Sequence, residues 1–189
     1  MLRISALVGL SLVVVACQGD SIAPEQDTAV LTTGFEAGLD GWTMRSSDPA
    51  DATVSLDTAE GLAGQCAMLA HNNRIGAFYQ WIEREVSADR VGNSVTVEWV
   101  AGNVGSRSLL KSPIIAVRLA EGGELSEADF RVLGLIGDPN GIDLPVPLSE
   151  HFPFTVHGGT TLRIGVGFLT GWEVQQSLCL DDIVVRVIP

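Results

Sequence analysis

The sequence predicts an all-β protein, a two-sheet antiparallel β-sandwich, on three observations. Apolar and polar residues alternate with period two: Val95, Val97 and Trp99 fall on one side of a strand, Thr96 and Glu98 on the other. Leu162, Ile164, Val166 and Phe168 repeat the pattern. The strand-like runs are punctuated by turn signals such as Val91-Gly92-Asn93, Glu121-Gly122-Gly123, Asp138-Pro139-Asn140-Gly141 and His157-Gly158-Gly159. Finally, 21 of the 189 residues are Gly, above the usual ~7%, and no amphipathic helix is evident beyond the N-terminal segment.

That N-terminal segment reads as an address. Arg3 precedes an apolar stretch from Ile4 to Ala16, shorter than the ~20 residues that a membrane span needs and suited to a secretory signal peptide over 1–16. It ends in Val14-Val15-Ala16-Cys17, which resembles the bacterial lipobox. That resemblance implies cleavage before Cys17 and lipid on its sulfur, the alternative being an ordinary signal peptide that contains a Cys. Residues 17–32 are then the lipidated Cys and a polar tether containing Pro24, and 33–189 the folded domain. Gln18 after the Cys is compatible with an outer-membrane or cell-surface location in the bacterial envelope.

Within the domain, strands are expected at 53–56, 66–70, 77–86, 94–101, 114–119, 130–136, 161–169 and 178–188, with a helical turn at 125–129. Cys66 and Cys179 are the pair left after Cys17, and each lies in a strand-like run. In an exported chain such a pair reads as a disulfide, worth on the order of 4–5 kcal/mol for so long a loop in the chain-entropy model. Two buried thiols are the alternative.

Charge and motifs exclude several functions. Eleven basic against 23 acidic residues give a net charge of −12, and Lys111 is the only lysine, which excludes a nucleic-acid partner. No Gly-x-Ser-x-Gly, P-loop or HExxH motif occurs, and Asp138, Asn140 and Asp143 depart from the calcium-loop pattern at Ile142. The chain is read as not an enzyme.

The most suggestive strand for a ligand is 77–86. Phe78, Gln80 and Ile82 share one side; Tyr79, Trp81, Glu83 and Glu85 share the other. With the first side in the core, the second offers two aromatic faces and two carboxylates, the means of stacking on a pyranose and bonding its hydroxyls. With the sides reversed, Tyr79 and Trp81 are core. Trp172, in the turn-rich Leu169-Thr170-Gly171-Trp172-Glu173, is a second aromatic candidate, and His71, Asn72, Asn73 and Arg74 form a polar loop cluster. Trp42 and Trp99 read as core.

The two ends of the domain carry a resemblance. Gly34-Phe35-Glu36-Ala37-Gly38-Leu39-Asp40-Gly41-Trp42 opens it and Leu180-Asp181-Asp182-Ile183-Val184-Val185 closes it. With the intervening runs at 64–69, 78–86 and 95–100, this ordered set resembles the jelly-roll carbohydrate-binding modules of the galactose-binding-like superfamily, over about residues 33–189. The resemblance implies a jelly roll and a carbohydrate partner, either polysaccharide or envelope glycan. It also implies a structural Ca²⁺ tying the first strand to the last, with Glu36 and Asp181 or Asp182 as carboxylate ligands; an arginine or a cluster of backbone N–H groups facing the inward carboxylate is the alternative. The same fold serves many roles, so a structural or protein-interaction module of the envelope stands as the other reading.

Overall fold

The computed structural model describes residues 29–59, 62–72, 77–103, 111–134, 145–171 and 175–189. The segment expected to be a signal peptide and the expected lipidation site Cys17 lie outside the described residues. Among them are eleven strands: β1 (Ala29–Thr33), β2 (Thr43–Ser46), β3 (Ala52–Asp57), β4 (Cys66–His71), β5 (Phe78–Ala88), β6 (Ser94–Asn103), β7 (Ser112–Leu119), β8 (Arg131–Val132), β9 (Pro145–Phe152), β10 (Thr160–Thr170) and β11 (Gln176–Ile188). Two 3₁₀ turns, Ala120–Gly122 and Glu127–Asp129, precede β8.

The strands form two antiparallel sheets. One runs β3-β4-β11-β6-β9, with β1 also paired to β11; the other runs β2-β5-β10-β7-β8. The inner faces are those that the alternation marks. Val95, Val97 and Trp99 from β6 meet Leu162, Ile164, Val166 and Phe168 from β10, all at most 1% exposed. Trp42 is buried in the same core. Gln80 is the one amide on the inner side of β5. It is fully buried, and its Nε2 donates to the carbonyls of Thr53 (2.8 Å) and Ala70 (3.2 Å), stitching β5 to the facing sheet.

Four elements depart from expectation. β2, four residues long and held by pairing with β5, is too short for its period to stand out. The sheet begins at Ala29, opposite Arg186 of β11, so residues 29–32 are strand and not tether. Val30 and Leu31 pack on the core, and a five-residue strand is too short for its period to stand out. The run at 130–136 narrows to the two residues of β8, paired with Ile114 and Ile115; residues 135 and 136 lie outside the described residues. β9 is unexpected, because Pro145 and Pro147 speak against a strand. It is an edge strand, where a missing N–H faces away from the ladder.

Cys66 and Cys179 are joined by a disulfide across the adjacent strands β4 and β11. Ala59, Leu62 and Met68 cover it on the outer face of the larger sheet.

Candidate functional site

β5 is a central strand, paired along its whole length with β10. Its inner residues Phe78, Ile82 and Val86 enter the main core, which places Tyr79, Trp81, Glu83 and Glu85 on the outer face, as the sequence suggests. The aromatic face is not open over its whole area, however. Trp81 is 4% exposed and packs with Ile114, Ala116 and Leu125, with Tyr79, Phe130 and Leu169 around it. The Phe130 ring stands 5.0 Å from that of Trp81 and 6.4 Å from that of Tyr79. Tyr79 and Phe130 are half-buried and form the solvent edge of the group. Trp81 is therefore floor rather than surface. Alternation reports a residue's side of the sheet and is silent on what a distant segment lays over it.

Glu83 is also corrected from a surface group to a buried one. Its side chain is 2% exposed. Oε2 accepts the Trp81 indole N–H at 3.0 Å and the Leu125 backbone N–H at 3.3 Å. Oε1 meets Arg163 at 3.0 Å and Arg45 at 3.4 Å. Two guanidiniums and two N–H groups compensate the desolvation of one carboxylate. Glu85 stays exposed and pairs with Arg163. Ile164 and Leu162 of β10 point inward while Arg163, Gly165 and Gly167 lie on the outer side. Gly167 is required by its close approach to the neighbouring backbone, and Gly165 leaves room for side chains laid over the sheet. A Cβ on Gly167 would stand 2.0 Å from the Gln80 carbonyl oxygen, and one on Gly165 would stand 2.5 Å from Leu125 Cδ1.

Trp172 lies outside the described residues, as do Asn73 and Arg74. β10 ends at Thr170, opposite Phe78, at the Tyr79 end of the face. His71, read as a loop residue, is the last residue of β4 and fully buried. Its ring stacks on Phe78 at 3.5 Å, and Nε2 lies 3.7 Å from Asp48 Oδ2.

Asp181 and Asp182, two of the residues expected to hold an ion, lie at the junction of the first and last strands. β11 pairs with β4 up to Leu180 and with β1 from Ile183, and the bulge between Asp181 and Val184 marks the change of partner. Asp182 there has φ 49°, left-handed backbone that Asp tolerates better than most residues. Asp181 is 2% exposed. Burial pushes its carboxyl up to about 6, opposed by the Asp182 backbone N–H and reinforced by the charges of Asp182 and Glu36. A Cβ built on Gly34 would lie 3.7 Å from Asp182 Oδ1 and 3.9 Å from Asp181 Oδ1. The Glu36 carboxylate fills the place of a side chain on Gly64, 1.7 Å from its ideal Cβ, and Oε1 accepts the Gln65 N–H at 3.0 Å. Among the described residues no group of three His, Cys, Asp or Glu side chains is arranged to hold an ion unaided. No arginine or lysine pairs with Asp181 there; its partner is the Asp182 N–H at 2.8 Å.

No protein-family model and no curated protein matches the chain. Solved structures do. The C-terminal family 22 carbohydrate-binding module of Clostridium thermocellum Xyn10B superposes with a TM-score of 0.55 at 16% identity, over 87% of this chain and 96% of that one. A module in complex with β-1,4-galactotriose gives 0.53 at 14%, over 82% and 94%. A structure described for the promiscuous specificity of carbohydrate-binding modules of the β-sandwich superfamily gives 0.52 at 15%; the chain spans 60% of its length. The described chain thus has the β-sandwich fold that these carbohydrate-binding modules share.

Proposed function

We propose that this protein is a non-catalytic, glycan-binding lipoprotein of the bacterial envelope, held to the membrane by lipid on Cys17. The observation that carries the reading is an aromatic group, Tyr79 with Phe130 over Trp81, on the outer face of a sheet in a fold shared with carbohydrate-binding modules. A half-exposed Tyr79–Phe130 edge offers a stacking surface. Trp172, which follows β10 in the sequence, is the second aromatic of this reading. A structural Ca²⁺ belongs to the same reading. Asp181 is a buried carboxylate with two acidic neighbours and, among the described residues, no Lys or Arg paired with it; a hard divalent ion bound by Asp181, Glu36 and backbone oxygens would relieve that arrangement.

The test is retention of residues 18–189 on a panel of soluble and insoluble polysaccharides, with Tyr79→Ala and Trp172→Ala in parallel. Retention that falls at least about tenfold in either variant, the equivalent of ~1.4 kcal/mol, with an unchanged circular dichroism spectrum, supports the reading. No retention on any polymer by folded protein refutes it. Palmitate labelling of the full chain that is lost in Cys17→Ser tests the anchor.

A further inference from the structure

The centre of the smaller sheet's outer face is occupied by the chain itself. Residues 120–130, between β7 and β8, lie across it. Leu125 and Phe130 rest on the bare backbone of Gly165, where a Cβ would stand 2.5 Å and 3.0 Å from them. The Phe130 ring covers Trp81, and the Leu125 N–H donates to Glu83. The Glu124 carboxylate pairs with Arg45, and the Asp129 carboxylate meets Arg118 at 2.9 Å. An apolar ring on an indole, a donor to a carboxylate and two carboxylates on two guanidiniums are the contacts that a pyranose chain bearing carboxyl groups makes.

The segment is held by few apolar anchors. Residues 121–129 read Glu-Gly-Gly-Glu-Leu-Ser-Glu-Ala-Asp. Its two 3₁₀ turns bury no residue, so Leu125 and Phe130 are the apolar anchors. Gly123 (φ 82°) and Gly134 (φ 34°) bracket residues 124–133 in left-handed backbone with open space around them. Without the segment, the face presents Arg45, Arg118 and Arg163 against Glu83 and Glu85. That is a local positive excess on a chain of net charge −12. At physiological salt the Debye length is about 8 Å, so the chain's overall charge is screened while contact pairs persist.

We propose that residues 120–129 are a built-in occupant of the sheet face, and that a glycan carrying carboxylates (a uronate polymer) binds there by displacing them, while Phe130, next to the paired strand β8, stays beside Tyr79. This rests on the glycan-binding reading above. The experiment is hydrogen exchange of residues 18–189, comparing the peptide over 120–129 with that over β10, alone and with oligogalacturonate or a neutral xylo-oligosaccharide. The segment is expected to exchange well before β10, about tenfold faster or more in Leu125→Ala, and about two- to threefold faster in the exposed-site variant Glu124→Gln. Oligogalacturonate is expected to accelerate the segment further and the neutral oligosaccharide to leave it unchanged. Exchange of the segment only together with β10, in wild type and both variants, overturns the proposal. Retention on a neutral polymer with the segment's exchange unmoved overturns it and leaves the glycan reading standing. No retention on any glycan, by wild type or Glu124→Gln, overturns both.

Discussion

Glu83 and Lys111 each bury a charge, and the fold treats them differently. Glu83 has two arginines and two N–H donors around it. Removing one member of such a cluster strands the others. Glu83→Ala is expected to cost about 3–5 kcal/mol, read as a lower midpoint in urea unfolding. Lys111 is 3% exposed and donates to the Ser177 carbonyl, and burial pulls its ammonium down to about 8 from 10.5. Below pH 8 both folded and unfolded chains hold the proton and the burial cost is fully present. Between pH 8 and 10.5 the folded chain releases it first, the unfolded chain binds more protons, and stability rises with pH. Relative to Lys111→Met, the wild type is therefore expected to gain on the order of 3 kcal/mol across that window. Equal pH dependence of the two proteins excludes this. The sequence showed one lysine in an acidic chain and two carboxylates on an aromatic strand. It did not show their burial, because the groups that enclose Glu83 come from β2, β10 and the segment before β8.

At the level of elements, legibility followed hydrophobic period. β6 and β10, with long apolar alternation, were evident to within a residue or two. β1, β2 and β9 were not, since short or proline-bearing strands hold their place by pairing with a neighbour. The Cys66–Cys179 bridge was one of two readings, and the sheet register decides it, because β4 and β11 are adjacent. Replacing both cysteines by Ala is expected to cost about 2–5 kcal/mol, measured as a fall in Tm. The β5–β10 contact predicts a sharper effect at one position. In Gly167→Ala the new methyl meets the Gln80 carbonyl oxygen and the Trp81 Cα, at 2.0 and 2.5 Å from the ideal Cβ. Neither is a flexible side chain that can swing aside. The strands must part, and a loss of at least about 1–3 kcal/mol follows. An Ala variant as stable as wild type rules out so close an approach of the two strands.

Across the whole molecule, the fold was legible from its two ends. The opening Phe-Glu-Ala-Gly and the closing Leu-Asp-Asp-Ile meet at the β1–β11 junction, 145 residues apart from Glu36 to Asp181 in the chain. The ligand was not legible, because the same sandwich carries many surfaces. The junction gives a prediction for the molecule as a unit. At pH 7, millimolar Ca²⁺ is expected to raise Tm by several degrees, about 2.7 kcal/mol at a hundred times Kd, and chelator to reverse it. Asp181→Asn is expected to lose that response and, in chelator, to melt no lower than wild type, since the neutral amide escapes the repulsion of Asp182 and Glu36. A Ca²⁺ response that survives in Asp181→Asn places the ion elsewhere.

The disulfide also bears on what happens when such a domain is pulled. A load entering at Ala29 peels β1 from β11 and then draws out the chain as far as Cys66, about 37 residues on. At 3.3–3.6 Å per residue that is roughly 120–135 Å of slack. Beyond it the tension passes through a sulfur–sulfur bond to β11, and the 113-residue loop between the cysteines is shielded from stretching. Oxidised, the molecule behaves as a short leash with a fixed stop; reduced, it can be unravelled from end to end.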